Sequence, residues 1–416
     1  MNQIPVHVIR SVREAREVSL QGVRLTTGEV LDKVFFTFRL RLVNLVFSMS
    51  ECFLFKPGIP KNIHHIIVFT SGILGDTIIM AGAVAALKKA YPESDITIIT
   101  NCQGFSKGGS EILSSMPYVG SQIFIEDDYI VRRGIHFRIK NKKLKDLRCD
   151  LFVNLSPFGR RGWTGAVARE LILAKLLKAK WATGFRVSSP LPSPRTIKIF
   201  HFFTVNEPRR SASVLKRIGL IPLTGSDAIP ANIEKQATLL EKLKKMGIGP
   251  QDKFAVLNPG AKNESKCWPV EHFAETARWV KETYRLIPVL TGSPNEIARC
   301  QTVHDLSGGI CLNLAGRTDL SELIELIRIA TICISNDTGP MHISGCLDKP
   351  TIGIFAARWS AEFWYPQGSR SVVLYSKPPC ALCMRDPFLE DENPVICLEA
   401  ISLTSVQDAI KIAMSD

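Results

Sequence analysis

A chain of 416 residues is long enough for two domains with separate cores, and 45% apolar with 22% charged residues excludes a disordered or fibrous protein. A net charge of +13 calls for an anionic partner, for which nucleic acid, an anionic membrane surface and a phosphorylated substrate all qualify. No zinc-finger, RNP or helix-turn-helix signature accompanies the charge, which argues against nucleic acid.

Residues 1–60 are atypical. Residues 1–29 mix acids and bases without a continuous apolar stretch, so no secretory signal is expected, and the 11 cysteines read as reduced cytosolic thiols. Residues 34–55 are rich in Phe, Leu and Val but carry Arg39, Arg41 and Glu51, which disfavours a membrane-spanning helix. Two readings stay open for them: an amphipathic helix lying on a membrane surface, and a helix packed on the catalytic domain.

A first α/β domain is expected over residues 61–225. Residues 65–70 form a buried-strand pattern, followed by the glycine-rich turn Ser71-Gly72-Ile73-Leu74-Gly75-Asp76, a helix over 77–90 and a strand over 96–100, which together make one βαβ unit. The turn lacks both the Walker lysine and the G-x-G-x-x-G spacing, so neither an NTPase loop nor a dinucleotide fingerprint is supported. Strands near 122–126 and 150–155 continue a parallel sheet. Arg133, Arg138, Lys140, Lys142, Lys143 and Lys145, with Arg160 and Arg161 after the next strand, read either as a solvated face or as a surface for an acidic acceptor.

Residues 222–235, rich in Pro, Gly, Ser and Asp, read as a linker. A second α/β domain is expected over 236–416, with strands at 254–257, 287–290, 311–314, 331–334 and 351–355 and helices at 270–284 and 320–330. In it Thr331-Ile332-Cys333-Ile334 runs into Ser335-Asn336-Asp337-Thr338-Gly339-Pro340-Met341-His342, a strand end, a turn and a helix start where the missing N–H of Pro340 does no harm. Such a helix terminus favours phosphate, with Asp337, Thr338 and His342 supplying hydrogen-bonding groups around it. Cys380, Cys383 and Cys397 make an incomplete zinc set that needs a fourth ligand from elsewhere, such as Cys346 or a His, and with no second pair of ligands at metal spacing nearby the metal-free reading is favoured over a metal site.

These pieces resemble glycosyltransferase family 9, the bacterial heptosyltransferase family. The resemblance is carried by Ser71-Gly72-Ile73-Leu74-Gly75-Asp76, Leu257-Asn258-Pro259-Gly260-Ala261, Lys266-Cys267-Trp268-Pro269, Thr291-Gly292-Ser293 with Glu296, Leu314-Ala315-Gly316-Arg317-Thr318 and Asn336 to His342, in order from about residue 63 onward. It implies two Rossmann-like α/β domains facing a cleft, the glycosyltransferase B architecture. It further implies an inverting, metal-independent transfer of heptose from ADP-heptose to a lipopolysaccharide-core or similar glycolipid, at the inner face of the cytoplasmic membrane and without a cofactor. By the same resemblance Asp76 is the catalytic base and Lys266 contacts the donor phosphate, while Asn258, Gly260, Glu296, Asp337, Thr338, Gly339 and His342 line the donor site. The residue types suit that chemistry: one carboxylate can take the proton of an attacking hydroxyl, and a lysine with helix-terminal amides can stabilise a departing diphosphate. A nucleotide-sugar epimerase and a non-enzymatic sugar-nucleotide binding protein are the competing readings. Trp268 reads as a packing residue rather than a base-stacking one.

Overall fold

The computed structural model of the chain describes residues 4–21, 23–71, 74–101, 116–126, 128–133, 136–156, 163–185, 207–358, 360–381 and 396–415. The chain divides into two compact units, residues 1–22 with 224–226 and 230–416, and residues 23–223 with 227–229. The first 60 residues are therefore shared: the segment up to residue 22 belongs with the C-terminal half and the rest with the N-terminal half. The chain passes between the units near residue 22 as well as at the expected linker.

Strand β1 (Val6–Ile9) opens the chain. The N-terminal unit then contributes β2 (His65–Ser71), β3 (Asp95–Asn101), β4 (Ser121–Ile125), β5 (Ile130–Arg133), β6 (His136–Ile139), β7 (Leu151–Asn154) and β8 (Trp181–Thr183). Five of these form a parallel sheet in the order β4-β3-β2-β7-β8, and β5 and β6 make a separate antiparallel hairpin. The chain starts in the middle of the sheet at β2, winds outward through β3 and β4, then returns to β7 on the other side. This doubly wound order places a topological switch point between β2 and β7, at whose carboxyl ends such sheets bind ligands.

The middle of β2 (residues 66–69) and the first three residues of β7 (151–153) are apolar and buried because helices cover the sheet. The helix Leu74–Ala90 is closed against the chain beyond it by Gly82, where an added Cβ would lie 2.0 Å from the Leu223 carbonyl oxygen. Helix Thr27–Leu54 begins with a capping box, Thr26 accepting from the Glu29 N–H and Glu29 accepting from the Thr26 N–H. It packs Phe47, with Leu40 and Val43, on the cluster of Phe69, Phe152 and Leu171. Phe55, just past its end, stacks on Phe185. The Arg217 guanidinium holds Glu51 at 2.7 Å. The packed-helix reading of this segment is met by that face. The basic residues Arg132, Arg138, Lys142, Lys143 and Lys145 are exposed, on the hairpin and on the short helix Lys142–Lys145 that precedes β7, and Arg160 and Arg161 lie outside the described residues.

The C-terminal unit contributes β9 (Phe254–Asn258), β10 (Ile287–Leu290), β11 (Leu312–Asn313), β12 (Ile332–Asn336), β13 (Thr351–Phe355) and β14 (Ser371–Ser376). With β1 they form one sheet in the order β1-β14-β13-β12-β9-β10-β11, in which the pairs from β9 to β14 are parallel and β1 runs antiparallel along β14. Its six parallel strands have the Rossmann order, with the switch point between β9 and β12. β1 covers what would otherwise be an open edge. Ile9 is fully buried, the Tyr365 hydroxyl donates to the Ile9 and Ser371 carbonyls, and the Lys377 ammonium donates to the Val18 carbonyl at 2.7 Å.

Ile9→Ala should therefore destabilise the C-terminal unit by about 2–5 kcal/mol, the range for truncating a buried isoleucine. Thermal denaturation of the two proteins measures it, and an unchanged midpoint would mean that β1 is not part of the folded unit.

Candidate active site

At the switch point of the C-terminal sheet, β9 and β12 lie side by side and their following loops depart in different directions. Both strands end in a buried asparagine. The Asn336 carboxamide accepts from the Trp268 N–H at 3.1 Å and donates to the Pro259 and Gly260 carbonyls at 2.9 and 3.2 Å. Asn258 donates to the Thr291 carbonyl at 3.0 Å and accepts from the Thr338 hydroxyl at 3.1 Å. Two side chains thus tie together the loops after β9, β10 and β12, and their own polar atoms are satisfied in an interior where an unpaired one is costly.

Thr338 is extended and its hydroxyl faces Asn258, so helix Gly339–Cys346 starts without a side-chain cap. Pro340 sits in its first turn, where the missing N–H costs nothing. Asp337, just before it, accepts from the Lys266 ammonium at 2.6 Å on its carboxylate, and its carbonyl oxygen lies 3.4 Å from the same nitrogen. His342 Nε2 is 3.9 Å from the other Asp337 carboxylate oxygen. Burial lowers the His342 pKa to about 4 and the Lys266 charge works in the same direction, against an opposing pull from Asp337. The imidazole is therefore neutral at pH 7, and Lys266 supplies the cationic charge of this cluster.

The loop carrying Lys266 is fixed from its outer side. Glu264 pairs with Arg299, and Ser265 accepts from Arg358 at 2.7 Å. Trp268 is fully buried, donates from its indole to the Ile401 carbonyl at 2.9 Å, and packs in the core as expected. Glu296 accepts from the Ser293 N–H at 2.6 Å. Its carboxylate lies over Gly260, where an added Cβ would approach the Glu296 Oε1 to 2.2 Å. Asn258, Gly260, Lys266, Glu296, Asp337, Thr338, Gly339 and His342 thus gather at the carboxyl ends of β9, β10 and β12.

Asp76 belongs to the N-terminal unit. Its backbone is the third residue of helix Leu74–Ala90, inside the first turn rather than at the capping position, and its side chain lies outside the described residues, as do Gly72 and Ile73. Cys397 is buried with its sulfur 3.3 Å from the Ala357 N–H, Cys380 is exposed, and Cys383 lies outside the described residues. Among the described residues, no group of three or more His, Cys, Asp or Glu is placed to hold a metal ion.

One pair escaped the sequence reading. Asn154 ends β7 beside the switch point of the N-terminal sheet, and its amide donates to Glu170 at 2.5 Å. Burial pushes the Glu170 pKa up to about 7, against the opposing effects of the Asn154 hydrogen bond and the charges of Arg169 and Arg210. Two signals were present: a buried strand ending in Asn, as at Asn258 and Asn336, and a lone acidic residue between Asp150 and Glu207.

Gly260→Ala would push first against Glu296, whose Oε1, Cδ and Cγ would lie 2.2, 2.3 and 2.8 Å from the added Cβ, so it should displace that carboxylate, strain its bond to the Ser293 N–H and lower the melting temperature modestly. Differential scanning calorimetry paired with nucleotide titration reads both effects, and unchanged nucleotide affinity would remove Glu296 from the site. For Glu170, the folded pKa lies above the ordinary value of 4.5. The stability given by its neutral form is complete below pH 4.5, is lost as pH rises toward 7, and totals about 3 kcal/mol. Wild type minus Glu170→Gln should fall across that window. Taking the difference removes the opposite slope from His342, and a flat difference would mean that Glu170 is ionised throughout.

The sequence profile of glycosyltransferase family 9 (heptosyltransferase) matches residues 172–392, just over half of the chain. The chain is 24% identical over 359 residues to lipopolysaccharide heptosyltransferase 3 of Escherichia coli, a match that covers 81% of this chain and 96% of that protein. It is 24% identical over 227 residues to lipooligosaccharide heptosyltransferase 2 of Haemophilus influenzae, covering 52% of this chain and 58% of that one. Among solved structures, the glycosyl transferase family 9 protein from Veillonella parvula aligns with a TM-score of 0.62 at 19% identity, covering 86% of this chain and all of that one, a likeness of fold. With its two doubly wound units, the chain belongs to glycosyltransferase family 9 and is a glycosyltransferase.

Proposed function

We propose that the protein transfers heptose from ADP-heptose to a lipopolysaccharide-core or similar glycolipid acceptor, with inversion at the anomeric carbon and without a metal, at the inner face of the cytoplasmic membrane. The observation that carries this reading is the Lys266–Asp337–His342 cluster at an uncapped helix terminus on the switch point of the C-terminal sheet. Relatives named as heptosyltransferases support the sugar and the acceptor class. Family membership favours transfer over the epimerase and binding-protein readings.

In this reading the acceptor hydroxyl attacks the anomeric carbon from the face opposite the nucleotide. Its proton passes to the Asp76 carboxylate as the bond from the anomeric carbon to the diphosphate oxygen breaks, and the single displacement inverts the centre. Lys266 directs donors to Asp337, and an ammonium has three, so one remains to meet the departing diphosphate. The positive end of helix Gly339–Cys346 adds to it. His342, neutral at pH 7, acts through hydrogen bonding rather than charge. Glu296, beside Gly260, is assigned to the donor ribose, and Asn258 and Asn336 hold the loops that carry these groups.

Asp76→Asn should leave donor affinity nearly intact and lower turnover by roughly 10² to 10⁴. Lys266→Ala should reduce kcat/KM by about 2–4 kcal/mol in barrier height. Release of nucleoside diphosphate, followed with and without extracted acceptor lipid and with chelator, reads all of these. Near-normal turnover of folded Asp76→Asn would remove the base assignment, and loss of transfer in chelator that Mg²⁺ restores would remove the metal-independent mechanism.

A further inference from the structure

Helix Thr27–Leu54 has a second apolar face that the N-terminal unit does not cover. Leu31, Phe35, Phe38, Leu42, Met49 and Phe53 are each half or more exposed, and Phe53 is 90% exposed. At 100° per residue they fall within a strip roughly 60° wide that runs nearly the full length of the helix. Phe47 and Glu51, which anchor the helix to the unit, lie on the opposite side. The uncovered strip is thus held outward by the packing of the other face.

Two further observations identify what would cover it. Arg39 and Arg41, both exposed, project on opposite margins of the strip. At the carboxyl end of the helix, the Lys175 ammonium donates to the Leu54 carbonyl, and the exposed Lys56 lies over the Trp181 ring. The unit around the helix is strongly basic: residues 23–223 hold 30 of the 52 Lys and Arg but only 14 of the 39 Asp and Glu, and the remainder of the chain is slightly acidic. Glu29, Asp32, Lys33, Arg39, Arg41 and Glu51 interrupt the helix, and among the described residues no helix is long and apolar enough to cross a membrane. A helix with one face fixed to a domain and an apolar face bordered by arginine suits the interface of an anionic bilayer, with its rings among the acyl chains and its guanidinium groups at the phosphates.

We propose that this face docks the N-terminal unit on an anionic phospholipid surface. The proposal deepens the membrane placement stated above, and its test uses no sugar donor or acceptor, so it can fail while the transferase reading stands.

The experiment is sedimentation of the full chain with vesicles of phosphatidylcholine, alone or mixed with phosphatidylglycerol, at low and high salt. Wild type should sediment with the mixed vesicles, more weakly at high salt and more weakly still with phosphatidylcholine alone. Phe38→Ser/Leu42→Ser/Phe53→Ser should bind the mixed vesicles at least a hundredfold less tightly, at on the order of tenfold per buried side chain, with an unchanged melting temperature because all three residues are exposed. Arg39→Glu/Arg41→Glu should lose the preference for the anionic vesicles. Equal sedimentation by wild type and the triple variant, or none by wild type, would overturn the proposal. So would a wild-type dimer in analytical ultracentrifugation that the triple variant dissociates without any vesicle binding, since the strip would then be covered by a second copy of the chain.

Discussion

The candidate site depends on two carboxamides, Asn258 and Asn336, at the ends of adjacent parallel strands. At a switch point the connections leave the sheet in different directions, so nothing in the strand ladder itself keeps their loops together. A carboxamide can do so because it carries both donors and an acceptor. Asn336 holds the loop that leads to Lys266 at the Pro259, Gly260 and Trp268 backbone, while Asn258 holds the turn after β12 through Thr338 and the loop after β10 through Thr291. The short contact between Lys266 and Asp337 joins residues 71 positions apart and follows from that bracing. An aspartate in either place would offer no donor, and a leucine would strand several buried backbone groups.

Burial then sets the protonation states. His342 and Glu170 are both buried, and the same desolvation favours the neutral form of each: it pulls the histidine down and pushes the glutamate up. In the C-terminal unit the consequence is a site whose cation is Lys266, already matched by Asp337. Negative charge developing on a diphosphate would be met by one lysine and the amide dipoles of helix Gly339–Cys346, which need little reorganisation. A charged His342 would have added a cation at the expense of burying it.

Much of the alternating α/β pattern was legible because most of its parallel strands are buried on both faces and appear as short, largely apolar runs: β2, β9, β10 and β13 stand where those runs lie, and β3 where a β-branched Ile/Thr run lies. β1 was not legible, since its partner β14 lies more than 360 residues away in register Val6↔Ser376, and no local periodicity announces such a pairing. The residues that gather at the C-terminal switch point were legible as motifs, whereas the bracing work of Asn336 was not, because its partners lie 68 to 77 positions earlier in the chain. Residues 34–55 were ambiguous for a physical reason. The helix is apolar on two opposite faces, so the sequence showed its hydrophobicity without showing which face meets the protein.

The division of charge between the units adds a last constraint. A small nucleotide can be bound by a few well-placed groups, and under the proposed function Lys266 and the helix terminus are those groups in the slightly acidic C-terminal unit, which has no excess of positive charge over its whole surface. An extended anionic partner is gathered differently. Its charges are spread over distances greater than the Debye length of about 8 Å at physiological salt, so a cluster at one point sees only part of them. It takes basic residues distributed over a surface, and the N-terminal unit carries these on the β5–β6 hairpin, on the short helix before β7 and along the margins of helix Thr27–Leu54. Under the proposed function, the chain thus separates two kinds of anion recognition: local and geometric for the soluble donor, distributed and field-like for the surface on which the acceptor lies.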